Sequence, residues 1–167
     1  MPRMTSWLVA FVIFAAPLAS GADSTADREA VDRVLTSFHR AAAEADGKVY
    51  FSLMADDAIY LGTDASERWT LAEFKAFADP YFSEGRGWTY TTRERHIHIA
   101  SGAGVAWFDE MLWNEAYGTC RGTGVLVQEN GTWRIAQYHL TFPIPNELSR
   151  EFTARIKEHT KASETAN

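Results

Sequence analysis

The chain has 167 residues, with 16 Lys+Arg against 22 Asp+Glu and a formal charge of −6. So acidic a chain is a poor partner for nucleic acid and for anionic membrane surfaces. Cys120 is the single cysteine, which excludes an intramolecular disulfide. Stability must come from packing, for which an aromatic content of 13% supplies the material.

Residues 1–22 read as a signal peptide. Arg3 leads into the apolar run from Trp7 to Ala19, and small residues follow at Ser20, Gly21 and Ala22. The run is shorter than the roughly 20 residues that cross a bilayer, and Pro17 suits the approach to a cleavage site. We expect cleavage close after Gly21 or Ala22 and export to the periplasm or the medium. A retained anchor is the alternative, and no cysteine stands at the junction to take a lipid. The mature part, with a charge of about −7, is then expected to have no membrane partner. It is long enough for one core and one domain, residues 23–150, followed by a helix end and polar tail over 151–167.

Val31, Val34, Leu35, Phe38 and Ala42 recur at helical spacing; Ser24 with Asp27 makes a capping box, and Gly47 offers a stop. Tyr50, Phe51, Leu53 and Met54 predict a second, shorter helical turn. A strand follows at Ala58–Leu61, ended by the turn-rich segment Gly62–Glu67. Thr70 with Glu73 repeats the capping box ahead of the stripe Leu71, Phe74, Phe77 and Ala78, and Pro80 is expected to stop that helix. From Gly87 to Pro143 the pattern is antiparallel sheet, with strands over Trp88–Ile99, Val105–Trp113, Arg121–Gln128 and Trp133–Phe142. Asn130-Gly131 is the strongest hairpin signal, and Asn130-Gly-Thr132 also spells a glycosylation sequon. Asn146 can cap a last helix with a thin stripe of Leu148, Phe152 and Ile156; the tail beyond is expected to be frayed. Helices first and a sheet meander last is an α+β layout.

This order of elements resembles the SnoaL-like branch of the nuclear transport factor 2-like superfamily. The phrases that carry the resemblance are Gly62-Thr-Asp64 with Glu67 and Trp69, Pro80-Tyr-Phe82 with Gly87-Trp-Thr-Tyr90, and Ala106-Trp-Phe-Asp-Glu110. Arg121-Gly-Thr-Gly-Val-Leu126 and Trp133-Arg-Ile-Ala-Gln-Tyr-His-Leu140 complete it. The resemblance implies a cone-shaped roll, a curved antiparallel sheet wrapped around an N-terminal helix, with a pocket at its open end. In that superfamily the pocket isomerises, cyclises, dehydrates or hydrolyses small molecules, or only binds them. The acid–base patterns of its steroid isomerases and scytalone dehydratases find no residue-for-residue match here.

Side chains two apart on a strand share a face, so Trp107, Asp109, Met111 and Trp113 fall together, as do Arg121, Thr123, Val125 and Val127, and Trp133, Ile135, Gln137 and His139. With these faces inside the cone, Asp109 and His139 are candidate catalytic residues for proton abstraction or shuttling. Arg121 would neutralise an anionic group, and Trp107 and Trp133 would wall the ligand. Two alternatives stand beside this: Asp109 and Arg121 form only an ion pair, or the opposite faces point inward and bring in Glu110 and Tyr138. Tyr60, Trp69, Trp88 and Tyr90 would sit near the mouth of such a cone as further ligand-binding residues, unless they are simply core. Cys120 is better read as a packed residue than as a nucleophile. His96-Ile-His98 has the spacing for a metal strand, but no third ligand is evident, so no metal and no cofactor are expected.

Two functions follow. The first is an exported domain whose pocket binds, and transforms without a cofactor, a small, partly aromatic or anionic organic molecule. The second is an association module whose convex sheet face pairs copies or docks a partner while the pocket is vestigial. An open cavity holding Asp109, Arg121 and His139 favours the first, and a cavity plugged by Trp107 and Trp133 the second. A homodimer is expected in either case, because antiparallel sheets often cover only one face.

Overall fold

The computed structural model describes residues 21–100 and 102–165. Of the expected signal peptide, residues 1–22, residues 1–20 lie outside the described ones, and Gly21 and Ala22 open the first helix. Helix α1 spans Gly21–Ala43, so Ser24 lies inside it and is not its cap. The helix ends earlier than Gly47: Ala45 takes the left-handed conformation at φ 55°, and the Asp46 N–H returns to the Ala41 carbonyl at 2.8 Å. Gly47 instead opens α2 (Gly47–Ser52), whose cap is Asp46, its side chain accepting from the Val49 N–H at 3.0 Å.

Strand β1 (Met54–Leu61) begins four residues ahead of expectation, because Met54 pairs in parallel with Ile135. The turn after it leads into a short strand, β2 (Arg68–Thr70), antiparallel to β1. Helix α3 (Leu71–Ser83) carries the expected capping box between Thr70 and Glu73. Pro80 does not stop it. The carbonyl that Pro80 leaves without an N–H belongs to exposed Ala76, where water can serve it, and the helix continues one more turn.

The rest is a meander: β3 (Thr91–Ala100), β4 (Val105–Asn114), β5 (Gly118–Glu129) and β6 (Thr132–Thr141). Strand β3 starts three residues after the expected Trp88, whose N–H instead donates to Ala42 at the end of α1. Asn130 and Gly131 both have positive φ, as a type I′ turn requires. The six strands lie in the order β2-β1-β6-β5-β4-β3, mixed only at the parallel β1–β6 pair. A last helix, α4 (Ser149–Thr165), begins beyond Asn146 and carries the polar tail expected to fray. The i,i+4 pair Glu151–Arg155, at 2.9 Å, supports it.

The core lies where α1, α2 and α3 meet the concave face of the sheet. Val31, Leu35 and Phe38 of α1 are buried there with Phe108, Leu112, Leu126 and Ile135. Phe38 stacks on Tyr50 at 4.2 Å between centroids, and Tyr60 on Phe74 at 3.8 Å.

Candidate functional site

The concave face is set by burial. On β4 it carries Ala106, Phe108, Glu110 and Leu112, and on β5 Cys120, Gly122, Gly124 and Leu126. This is the reverse of the face expected to line the cone. Trp107 is 47% exposed, Asp109 and Arg121 are exposed, and all three belong to the outer face. On β6 the expectation was half met, for a definite reason. The register against β5 slips between Val125 and Leu126, which leaves Ala136 as a bulge. Trp133 and Ile135 point inward before it, whereas after it Tyr138 and Leu140 do, and His139 turns outward. Trp133 sits under α1, its indole N–H donating to Asp27 Oδ1 at 3.1 Å.

Glu110 is the one buried charged residue among those described, at 1% exposure. Its Oε1 accepts from the Tyr138 hydroxyl at 3.0 Å and lies 2.7 Å from His39 Nε2; its Oε2 accepts from Arg95 Nε at 2.8 Å. Arg95 reaches on to Asp32 Oδ1 at 2.7 Å. Burial works to raise the Glu110 pKa, but the hydrogen bond and charge of His39, with the Arg95 guanidinium, outweigh it and hold the carboxyl below its ordinary range. Gly122 makes room for this cluster, since a Cβ there would lie 2.5 Å from the Tyr138 hydroxyl and 2.8 Å from Glu110 Oε1. Every oxygen of the carboxylate is engaged, and the cluster ties α1 to β3, β4 and β6. Glu110, His39 and Arg95 do not reach the cavity described next.

That cavity, of about 240 Å³, opens at the far end of β6 from Trp133. Tyr60 and Trp69 from β1 and β2 form one wall with Phe74 and Phe77 of α3, their rings within 29° of parallel. Trp88 and Tyr90 continue the lining ahead of β3. Tyr117 from the β4–β5 turn, with Leu140 and Phe142, closes the other side, and the Gly62–Glu67 turn forms the rim. Four residues expected near the mouth, Tyr60, Trp69, Trp88 and Tyr90, are therefore brought together. Trp107, Asp109, Arg121, Trp133 and His139 are not among its walls. Neither form anticipated for the cavity, open on Asp109, Arg121 and His139 or plugged by Trp107 and Trp133, is the one observed.

Among the described residues, Glu67 is the single formally charged one of the lining. Its side chain folds back over Gly62, where a Cβ would stand 2.1 Å from Oε2, and that oxygen accepts from the Asp64 N–H at 3.1 Å. Burial raises the Tyr60 pKa above the ordinary phenol value and pushes Tyr90 up to about 12, so both phenols stay protonated at neutral pH. Behind Trp88, the Tyr50 hydroxyl is buried without a hydrogen-bond partner among the described residues. Burial and the neighbouring Tyr60 drive its pKa up; the Trp88 indole pulls the other way without reaching hydrogen-bond geometry.

A larger groove, of about 810 Å³, runs over the outside of α2 and α3. Both openings face solvent, and the difference lies in their walls. The groove mixes Lys48 and Lys75 with Asp56 and Asp79, an ordinary charged surface, whereas the smaller cavity has the apolar lining and sparse polar groups of a ligand site. His96 lies 3.1 Å from Glu94 and His98 stacks on Trp107, both exposed, and no metal-ligating cluster occurs among the described residues.

A curved sheet wrapped on a long helix and opening on an aromatic cavity defines the nuclear transport factor 2-like, or cystatin-like, class. The model of the SnoaL-like domain family matches residues 31–145, and the chain belongs to that family. Among solved structures, a nuclear transport factor 2-like protein of unknown function from Pseudomonas putida superposes with a TM-score of 0.62 at 15% identity, over 74% of this chain and 91% of that one. A Novosphingobium aromaticivorans protein described as a candidate scytalone dehydratase gives 0.62 at 11%, over 75% and 89%. A candidate ketosteroid isomerase from Shewanella frigidimarina gives 0.54 at 19%, over 66% and 94%. No curated protein matches the chain. At these identities the likeness is one of fold.

Proposed function

We propose that this SnoaL-like domain binds a small organic molecule in the cavity between Tyr60, Trp69, Trp88 and Tyr117. The observation that carries the reading is the composition of the walls: aromatic rings from six segments of the chain converge on one opening, with Glu67 as the lone charge among the described residues. A volume of about 240 Å³ lies below the roughly 300–1,000 Å³ of drug-sized sites, so the ligand is small. Asp109 and His139, the residues first considered for proton transfer, face away from this opening. Binding, rather than turnover, is therefore what the lining supports.

Native mass spectrometry of freshly purified protein, combined with tryptophan fluorescence, tests the reading. A retained small molecule, or quenching that disappears in Trp69→Ala, is expected. A chain that retains nothing and whose fluorescence answers to no small organic compound refutes it. The reading includes export, supported by the start of the sequence, and pairing of two copies through the outer sheet face, supported by exposed Trp107 and Trp113.

A further inference from the structure

We propose that the cavity is selective for a small organic cation, an alkylated ammonium group caged by aromatic faces and countered by the Glu67 carboxylate. The inference rests on the binding function above and names its ligand class. Among the described residues no Lys, Arg or His lines the cavity, so an anionic ligand would meet a carboxylate and no counter-charge in the lining. A neutral ligand would leave Glu67 facing a partly desolvated space unpaired. A cation satisfies both the carboxylate and the rings, because an aromatic face carries the negative end of the ring quadrupole and attracts a cation within about 6 Å of the centroid.

Three further observations agree. First, the protein's own cations are placed over other rings: Lys75 over Phe51, Arg86 over Tyr81 and Arg93 over Trp113, none of which lines the cavity. Second, Glu67 is held in place yet not spent. Its Oε2 accepts from the Asp64 N–H at 3.1 Å across Gly62, while Oε1 has no hydrogen-bond partner and the side chain forms no salt bridge among the described residues. Third, the two phenols of the lining whose pKa values are raised, Tyr60 and Tyr90, remain neutral, so Glu67 sets the sign of the site. The polar acceptors are few, which favours an ammonium whose N–H groups are replaced by methyl over one that needs three acceptors.

The test compares choline with 3,3-dimethylbutan-1-ol, its neutral carbon isostere, and with phenol as a neutral aromatic probe. Binding to the purified full chain is followed by calorimetry and tryptophan fluorescence. Choline is expected to bind at least about tenfold more tightly than the isostere. Glu67→Gln, whose amide oxygen still accepts from Asp64, should bring the two within about twofold while leaving the melting temperature unchanged. An isostere or phenol that binds as tightly as choline or more so overturns the cation assignment and leaves the pocket standing. A choline preference that survives Glu67→Gln likewise overturns it. If none of the three probes gives heat or a fluorescence change, the cation assignment falls, while the binding function is decided separately by the native mass spectrometry above.

Discussion

Glu110→Gln removes one charge from the buried cluster and leaves its shape. Taking one partner from a buried ion pair costs about 3–5 kcal/mol when the other is stranded. Stranding here is incomplete, since Arg95 keeps Asp32 at 2.7 Å and an amide oxygen in the place of Oε1 can still accept two of the three hydrogen bonds. A loss of about 2–3 kcal/mol is therefore expected. Read by urea unfolding with a slope of about 2 kcal/mol/M, the midpoint should fall by about 1–1.5 M. Combining Glu110→Gln with Arg95→Leu should cost less than the sum of the two single changes by more than about 1 kcal/mol, because the partners share one network. A midpoint shift under about 0.3 M, or additive effects, would show that the cluster does not fasten α1 to the sheet.

The same carboxylate sets an acid limb. Its folded pKa is lower than its unfolded one, so its contribution is complete above an unfolded value of about 4.3 and is lost as pH falls through the lower folded value. The stability gap between the natural chain and Glu110→Gln should accordingly narrow between pH 5 and pH 3 in thermal melts, and a gap constant with pH would contradict this. Gly122→Ala should lower stability by about 1–3 kcal/mol through its clash with Tyr138 and Glu110, as chemical denaturation would report. Tyr50→Phe removes a buried hydroxyl with no partner and should be neutral or stabilising by up to about 1 kcal/mol; a loss beyond that would reveal a bond the hydroxyl makes. In the cavity, Trp88→Ala should weaken any ligand that Trp69→Ala weakens, since both line it, whereas Trp107→Ala on the outer face should leave affinity unchanged in the same fluorescence titration.

The elements were readable where a local rule fixes them. The Thr70–Glu73 capping box and the Asn130-Gly131 turn depend on a few adjacent residues, and both form as their chemistry demands. Expectations missed where a distant partner decides. Met54 becomes strand because Ile135 lies beside it, and Trp88 leaves the sheet because Ala42 takes its N–H. Pro80 misled for a related reason: its cost depends on whether the carbonyl it strands is exposed, and spacing alone does not tell.

The site separates along the same line. Tyr60, Trp69, Trp88 and Tyr90, which line the cavity, were placed near the mouth by the resemblance, which fixes position along the cone and not which way a strand faces. Facing had to come from alternation, and alternation gives two answers of opposite sense for each strand. On β4 each set holds one carboxylate, Glu110 inward with Ala106, Phe108 and Leu112, and Asp109 outward, while the outward set also holds two tryptophans. Hydrophobicity alone therefore favours the wrong face. What decides is not on that strand at all: Arg95, His39 and Tyr138 arrive from β3, α1 and β6 to satisfy Glu110, and Gly122 on β5 leaves room for them. Two glycines alternating inward on β5, Gly122 and Gly124, were the available signal, since a glycine within a strand marks a close approach by other atoms. Read that way, they turn β5 over, and the antiparallel pairing of Gly122 with Glu110 turns β4 with it.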